Sequence, residues 1–203
     1  MNHNHSLVTT VLLLAVNPKG TSPLRLDEEM RQIEEELKLS RQRDRFHLIS
    51  KMAVRPVDIR RAMLDYRPQI VHFCGHGAGE EGLAFENDIG TVQLVSAEAL
   101  AHLFGFFATQ LDCIVLNACY SEVQAHAISQ HINYVIGMKQ AIGDQAAIKF
   151  AGGFYGTLGA GESFEFAYQI GCSEIQLYGI PEHLTPVIKK KSVNFRQTVV
   201  GID

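Results

Sequence analysis

The feature that most constrains this chain is a set of short runs in which successive residues, not alternate ones, are apolar. Val8 to Val16 is nearly continuous, and Ile70-Val71-His72-Phe73 and Cys113-Ile114-Val115-Leu116 repeat the pattern. A strand wetted on one face alternates apolar and polar positions, whereas a strand covered on both faces does not. Between the runs lie helical spacings. Asp27 reads as an N-cap before Met30, Ile33 and Leu37, with Glu28 and Glu29 in the favourable first turn. Pro56 opens a second helix carrying Ile59, Ala62, Met63 and Tyr66, closed before Pro68. Strands alternating with helices require parallel pairing through right-handed crossovers, which predicts an α/β fold: a three-layer α/β/α sandwich around a mostly parallel sheet.

The remaining elements follow the same rhythm. Phe46 to Lys51 is a second strand, and Leu83 to Leu94, with turn residues from Asn87 to Gly90, reads as a small β-hairpin inserted after the third strand. Ser96 caps a helix through Phe107; Glu122 to His131 is a helix, Tyr134 to Met138 a strand, and Asp144 to Leu158 and Ser163 to Tyr178 two closing helices. The stretch after Pro181 carries no clear signal. Residues 1–186 are therefore expected to form one domain, and 187–203 a C-terminal tail or linker, with Lys189-Lys190-Lys191 as a solvated charge run.

A net charge of −4 gives no electrostatic reason to expect a nucleic-acid partner. Val8 to Val16 is too short to span a membrane and lacks the basic start of a secretion signal, so neither membrane nor export is expected. Cysteines at 74, 113, 119 and 172 have no close pairing, as expected of reduced thiols in a cytoplasmic protein. Cys113 and Cys172 read as small buried hydrophobes.

Two of the apolar runs stop in reactive residues, one at Gly75-His76-Gly77 and the other at Asn117-Ala118-Cys119. In parallel α/β sheets, ligand sites lie beyond the carboxyl ends of strands, where both side chains belong. Cys119 precedes a helix, and His76 could supply the imidazole that makes a thiol a nucleophile and then protonates a leaving amine. Backbone N–H groups around Gly75 to Gly77 and at the helix start could hold an oxyanion. Either residue alone is explained as well by packing or local hydrogen bonding; the matched positions point to a site. A competing arrangement would use His72, Cys74, His76 and Cys119 as a tetrahedral metal set, but His72 and Cys74 fall inside a covered strand. His72 is better read as hydrogen-bonded in the core, and the chemistry requires no metal and no cofactor.

Taken together, His72-Phe73-Cys74-Gly75-His76-Gly77, Leu116-Asn117-Ala118-Cys119-Tyr120-Ser121, Val135 to Met138, Ile142 to Ala147 and Phe154-Tyr155 resemble the CHAT family, caspase-like cysteine proteases related to separase and caspases. The resemblance runs from Leu12 to about Pro186, with Cys74 where the family commonly has Ser. It implies a caspase-like fold and a cysteine endopeptidase with catalytic residues His76 and Cys119. It further implies an oxyanion hole from the N–H groups of Gly77 and Cys119. Asp144 falls where related separases line the pocket for a basic P1 side chain; by cap preference alone it could equally cap the following helix. Family members often act as effectors, so the expected partners are a protein or peptide substrate and an activating sensor or repeat domain. The loop 77–82 and the hairpin after it are candidates for ordering on activation. The contrasting expectation is a protease-like interaction scaffold that does not cleave.

Overall fold

The computed structural model describes residues 8–191. Its centre is a six-stranded sheet in the order β2-β1-β3-β6-β7-β8. Strands β1 (Thr9–Ala15), β2 (Phe46–Met52), β3 (Ile70–Cys74), β6 (Cys113–Asn117) and β7 (Tyr134–Met138) run parallel. The five residues of β3 and of β6 are all buried, as their unbroken apolar runs require.

Helices cover both faces. Leu12, Leu14, Phe73 and Leu116 pack with Ile59 and Met63 of α2 (Pro56–Tyr66), Leu100 and Phe104 of α3 (Ala97–Gly105), and Ile128 of α4 (Glu122–Ile128). Val11, Leu13, Val115 and Ile136 pack with Ile33 of α1 (Leu26–Leu39), Phe150 and Phe154 of α5 (Asp144–Gly159), and Ile175 of α6 (Phe164–Leu177). The expected three-layer sandwich is the observed architecture. Ser96 and Ser163 cap α3 and α6 by accepting from the N–H groups of Ala99 and Phe166, each contributing about 1 kcal/mol.

The hairpin is β4 (Leu83–Glu86) paired antiparallel with β5 (Val92–Val95). Leu83, Ala84 and Phe85 are buried, and the Phe85 ring lies 5.1 Å from that of Phe73, so the insertion is seated on the core.

Several boundaries move. The N-cap of α1 is Arg25, not Asp27, because buried Leu26 opens the helix and Asp27, Glu28 and Glu29 form its first turn. Helix α4 ends at Ile128, after which Gln130 and His131 close tighter turns onto Ala127 and Ile128. The largest difference lies near the C-terminus. Pro186–Lys190 is β8, antiparallel to β7, so the sheet extends into residues assigned to a tail. Lys189 and Lys190 are not simply solvated. They pair with Glu122 at 2.6 Å and Glu165 at 3.0 Å. Residues 192–203 lie outside the described residues.

Candidate active site

Register places the site. Cys74 on β3 pairs with Asn117 on β6, so His76 and Cys119 each lie two residues past the same rung of neighbouring parallel strands. Adjacent strands are about 4.8 Å apart. The chain reverses its direction of growth across the sheet between β1 and β3, immediately beside this pair.

His76 and Cys119 line one narrow cleft of about 30 Å³, together with Leu24, Arg25, Glu29, Asn117, Ile142 and Asp144. The two loops touch through Gly77. A Cβ added there would lie 2.0 Å from the Cys119 carbonyl oxygen, so only glycine permits this approach. The His76-Gly77 segment is clamped from its other side, where Ala84 N–H donates to His76 O and Ala78 N–H to Gly82 O. The loop that could order on activation is tied down in this state, since Gln124 Nε2 also donates to Gly79 O at 2.6 Å. Among the described residues, the N–H groups of Gly77 and Cys119 donate to no protein acceptor.

The imidazole of His76 is oriented by the loop after β1. Its Nε2 lies 3.0 Å from Ser22 O and 3.4 Å from Asn17 Oδ1. Carbonyl oxygens only accept, so Nε2 carries the hydrogen and Nδ1 keeps the free lone pair. Ile142 N–H points at Cys119 Sγ from 3.4 Å. Tyr120, directly after the nucleophile candidate, has φ of 53°. Left-handed backbone costs a non-glycine residue about 1–2 kcal/mol, and the turn is held by the residue after it. Buried Ser121 Oγ donates to Leu116 O and accepts from Met138 N–H, both at 2.9 Å.

The other thiols differ. Burial pushes those of Cys74, Cys113 and Cys172 upward, which disfavours the thiolate. Cys113 is sealed in the core as expected, while Cys172 is half-buried.

The four residues of the alternative metal set part company. His76 and Cys119 sit in the cleft. His72 and Cys74 point into the layer of α1 and α5 and cluster with Glu29 instead. Both His72 nitrogens are engaged, Nε2 with Glu29 Oε1 at 2.6 Å and Nδ1 with Tyr155 Oη at 3.2 Å. The Cys74 thiol donates to Leu14 O. His72 is the core hydrogen-bonding residue its place in β3 suggested. Asp144 does not cap α5. Gly143 is the N-cap, and Asp144 occupies the first turn on the cleft wall.

Sequence reasoning missed three participants. Ser22 acts through its backbone carbonyl, which no side-chain motif reports. Asn117 was seen only as part of a strand end. Glu29 had a visible signal. It falls on the Leu26, Ile33, Leu37 stripe of α1, where a carboxylate is out of place unless partnered.

The model of the CHAT domain matches residues 10–167. The chain belongs to the CHAT family. Two curated relatives are a Roc-COR-CHAT protease from an unknown prokaryotic organism, 28% identical, and a probable protease from Gillisia limnaea, 23% identical. These matches cover 82% and 79% of this chain but 16% and 29% of the relatives, so the chain corresponds to a fraction of their length. Among solved structures, a secreted C11 cysteine protease from Bacteroides thetaiotaomicron with an irreversible peptide inhibitor superposes with a TM-score of 0.64 at 14% identity. It covers 90% of this chain and 66% of that one. Another structure of a secreted C11 protease from that organism, iotapain, gives 0.59 at 12% identity, over 91% and 66%. At such identities the likeness is one of fold, and that fold is caspase-like. No helix among the described residues is long and apolar enough to cross a membrane.

Proposed function

We propose that the chain is a cysteine endopeptidase with His76 and Cys119 as its dyad. The observation that carries this is the cleft itself. Two residues reach it from matched strand ends, Gly77 is fitted against the Cys119 carbonyl, and two unengaged N–H groups stand beside them.

The Cys119 sulfur, its proton taken by His76 Nδ1, attacks the scissile carbonyl carbon and forms a C–S bond. The carbonyl oxygen gains the negative charge and is held by the N–H groups of Gly77 and Cys119. Collapse breaks the C–N bond, and His76 returns the proton to the leaving amine. Water, deprotonated by the same nitrogen, then hydrolyses the thioester and restores the thiol. Ser22 O keeps Nε2–H occupied, so Nδ1 remains the working nitrogen throughout. Asp144 on the cleft wall favours an arginine or lysine at P1.

The match to a Roc-COR-CHAT protease supports control by other domains or by a sensor partner, with this chain as the effector. The four unpaired thiols fit a reducing cytoplasm.

The test is a fluorogenic peptide library scanned at P1, run with wild type and Cys119→Ala. Cleavage after basic residues that disappears in the variant is expected. Full cleavage by Cys119→Ala would refute the nucleophile, and an apolar P1 preference would refute Asp144. Silence from both proteins, with the activating partner present, would favour the interaction scaffold.

A further inference from the structure

Tyr120 directly follows the candidate nucleophile, and nothing in the fold accounts for its being a tyrosine. With φ of 53° it stands in the left-handed region, where a bulky side chain is an outlier and glycine or asparagine is at ease. Its side chain offsets none of that strain, since the residue is 50% exposed. The other five tyrosines of the chain are all engaged. The hydroxyls of Tyr66, Tyr134, Tyr155 and Tyr168 meet Lys51, Glu165, His72 and Pro186 O, and the ring of Tyr178 lies beneath the Lys149 ammonium. Among the described residues, Tyr120 has no hydrogen-bond partner for its hydroxyl and no aromatic or cationic neighbour for its ring. Strain of this kind, kept where folding does not need it, points to function.

The backbone of Tyr120 is fixed from two directions. Its N–H donates to Gln140 O at 3.2 Å, and Gly79 passes so close that a Cβ there would lie 3.8 Å from Tyr120 Cβ. Gln124 holds Gly79 in that place. Val123, in the first turn of α4, is also open, at 42% exposed. Helix α4, into which Tyr120 leads, packs on the face of the sheet opposite α1 and α5. The cleft lies on the α1 and α5 side, with Leu24, Ile142 and Asp144, and Tyr120 does not line it. A polar cleft and an apolar surface thus flank Cys119 from opposite layers.

We propose that Tyr120, with Val123, forms an apolar subsite on the leaving-group side of the scissile bond, and takes an aromatic or branched aliphatic side chain at P1′. The proposal rests on reading the cleft as a protease site. With the acyl side chain in the cleft, the substrate past the scissile bond continues from Cys119 toward α4 and crosses the exposed ring. A tyrosine ring offers a large apolar face on only two torsions, so ordering it against a substrate side chain costs little. Glu122, between the two residues, is paired with Lys189, and a charged P1′ residue finds no partner in it.

The test scans P1′ in internally quenched peptides that hold the best P1 residue constant. Wild type should cleave the phenylalanine and leucine peptides with kcat/KM roughly tenfold or more above the serine and aspartate peptides. Tyr120→Ala should lose most of that ratio, and Tyr120→Phe, which keeps the ring, should retain it. A merely structural role would lower cleavage of every peptide alike. Indifference to P1′, a preference for a charged residue, or an unchanged ratio in Tyr120→Ala overturns the proposal. A protein that cleaves nothing is tested without turnover. Alkylation of Cys119 by iodoacetamide is then followed by mass spectrometry with phenylalanyl-alanine amide or seryl-alanine amide present. Protection by the phenylalanyl compound at roughly tenfold lower concentration, lost in Tyr120→Ala, keeps the subsite while the protease reading falls. Equal protection by the two, or none, overturns the subsite. Cleavage with indifference to P1′ removes the subsite and leaves the protease.

Discussion

Gly77→Ala isolates the contact on which the geometry of the proposed dyad depends. The added Cβ would stand 2.0 Å from the Cys119 carbonyl oxygen, whereas real Cβ contacts essentially never fall below 3.0 Å. One loop must therefore retreat by about 1 Å, the difference between those two distances. The obstacle is backbone, so no side-chain rotation relieves it. Neither loop moves freely, because the hairpin holds His76 and Ala78, and Ser121 holds the turn after Cys119. A misplacement of about 1 Å between reacting groups costs on the order of 100-fold in rate. The overpacking itself costs about 1–3 kcal/mol of stability. The assay is kcat/KM on the best peptide from the P1 scan, beside a thermal melt of the same preparation. The expected pattern is a folded protein with a lowered melting temperature and a loss near 100-fold in kcat/KM. Wild-type cleavage with an unchanged melt would show that Gly77 does not approach Cys119 as described, and the reasoning from register to dyad would fall with it.

Ser121→Ala leaves the buried Met138 N–H and Leu116 O without their partner, and should destabilise the protein by about 1–3 kcal/mol in a urea titration. A change within error would mean that the hydroxyl does not staple the turn. An electrophilic peptide probe should label Cys119 ahead of Cys74, Cys113 and Cys172, whose thiols are raised by burial. Peptide mapping that finds equal labelling at all four would remove the distinction drawn among them.

How far the sequence reaches is clearest at three places. The unbroken apolar runs of β1, β3 and β6 reveal strands covered on both faces, because burial of consecutive residues is a local pattern. By contrast β8 was invisible. It is an edge strand of five residues, Pro186-Val187-Ile188-Lys189-Lys190, and its lysines read as solvated tail until Glu122 and Glu165 are brought beside them. Asp144 was legible as a residue of interest but not as a cap or a wall, since Gly143 takes the cap only once the loop from β7 has its path.

By itself, then, the sequence determined the layered α/β architecture, the hairpin after β3, and the strand ends that carry His76 and Cys119. Periodicity, turn residues and strand-end position are all read within a few neighbours. Only the tertiary structure decided what surrounds them. Ser22 O on His76, Glu29 on His72, and Asn117 on Glu29 join residues 54, 43 and 88 positions apart. Such contacts depend on which strands become neighbours and in what register, and on the path of the loop after β1. No local pattern encodes those distances, and the buried chain of hydrogen bonds from Asn117 to Glu29 to His72 exists only once the sheet has closed around it.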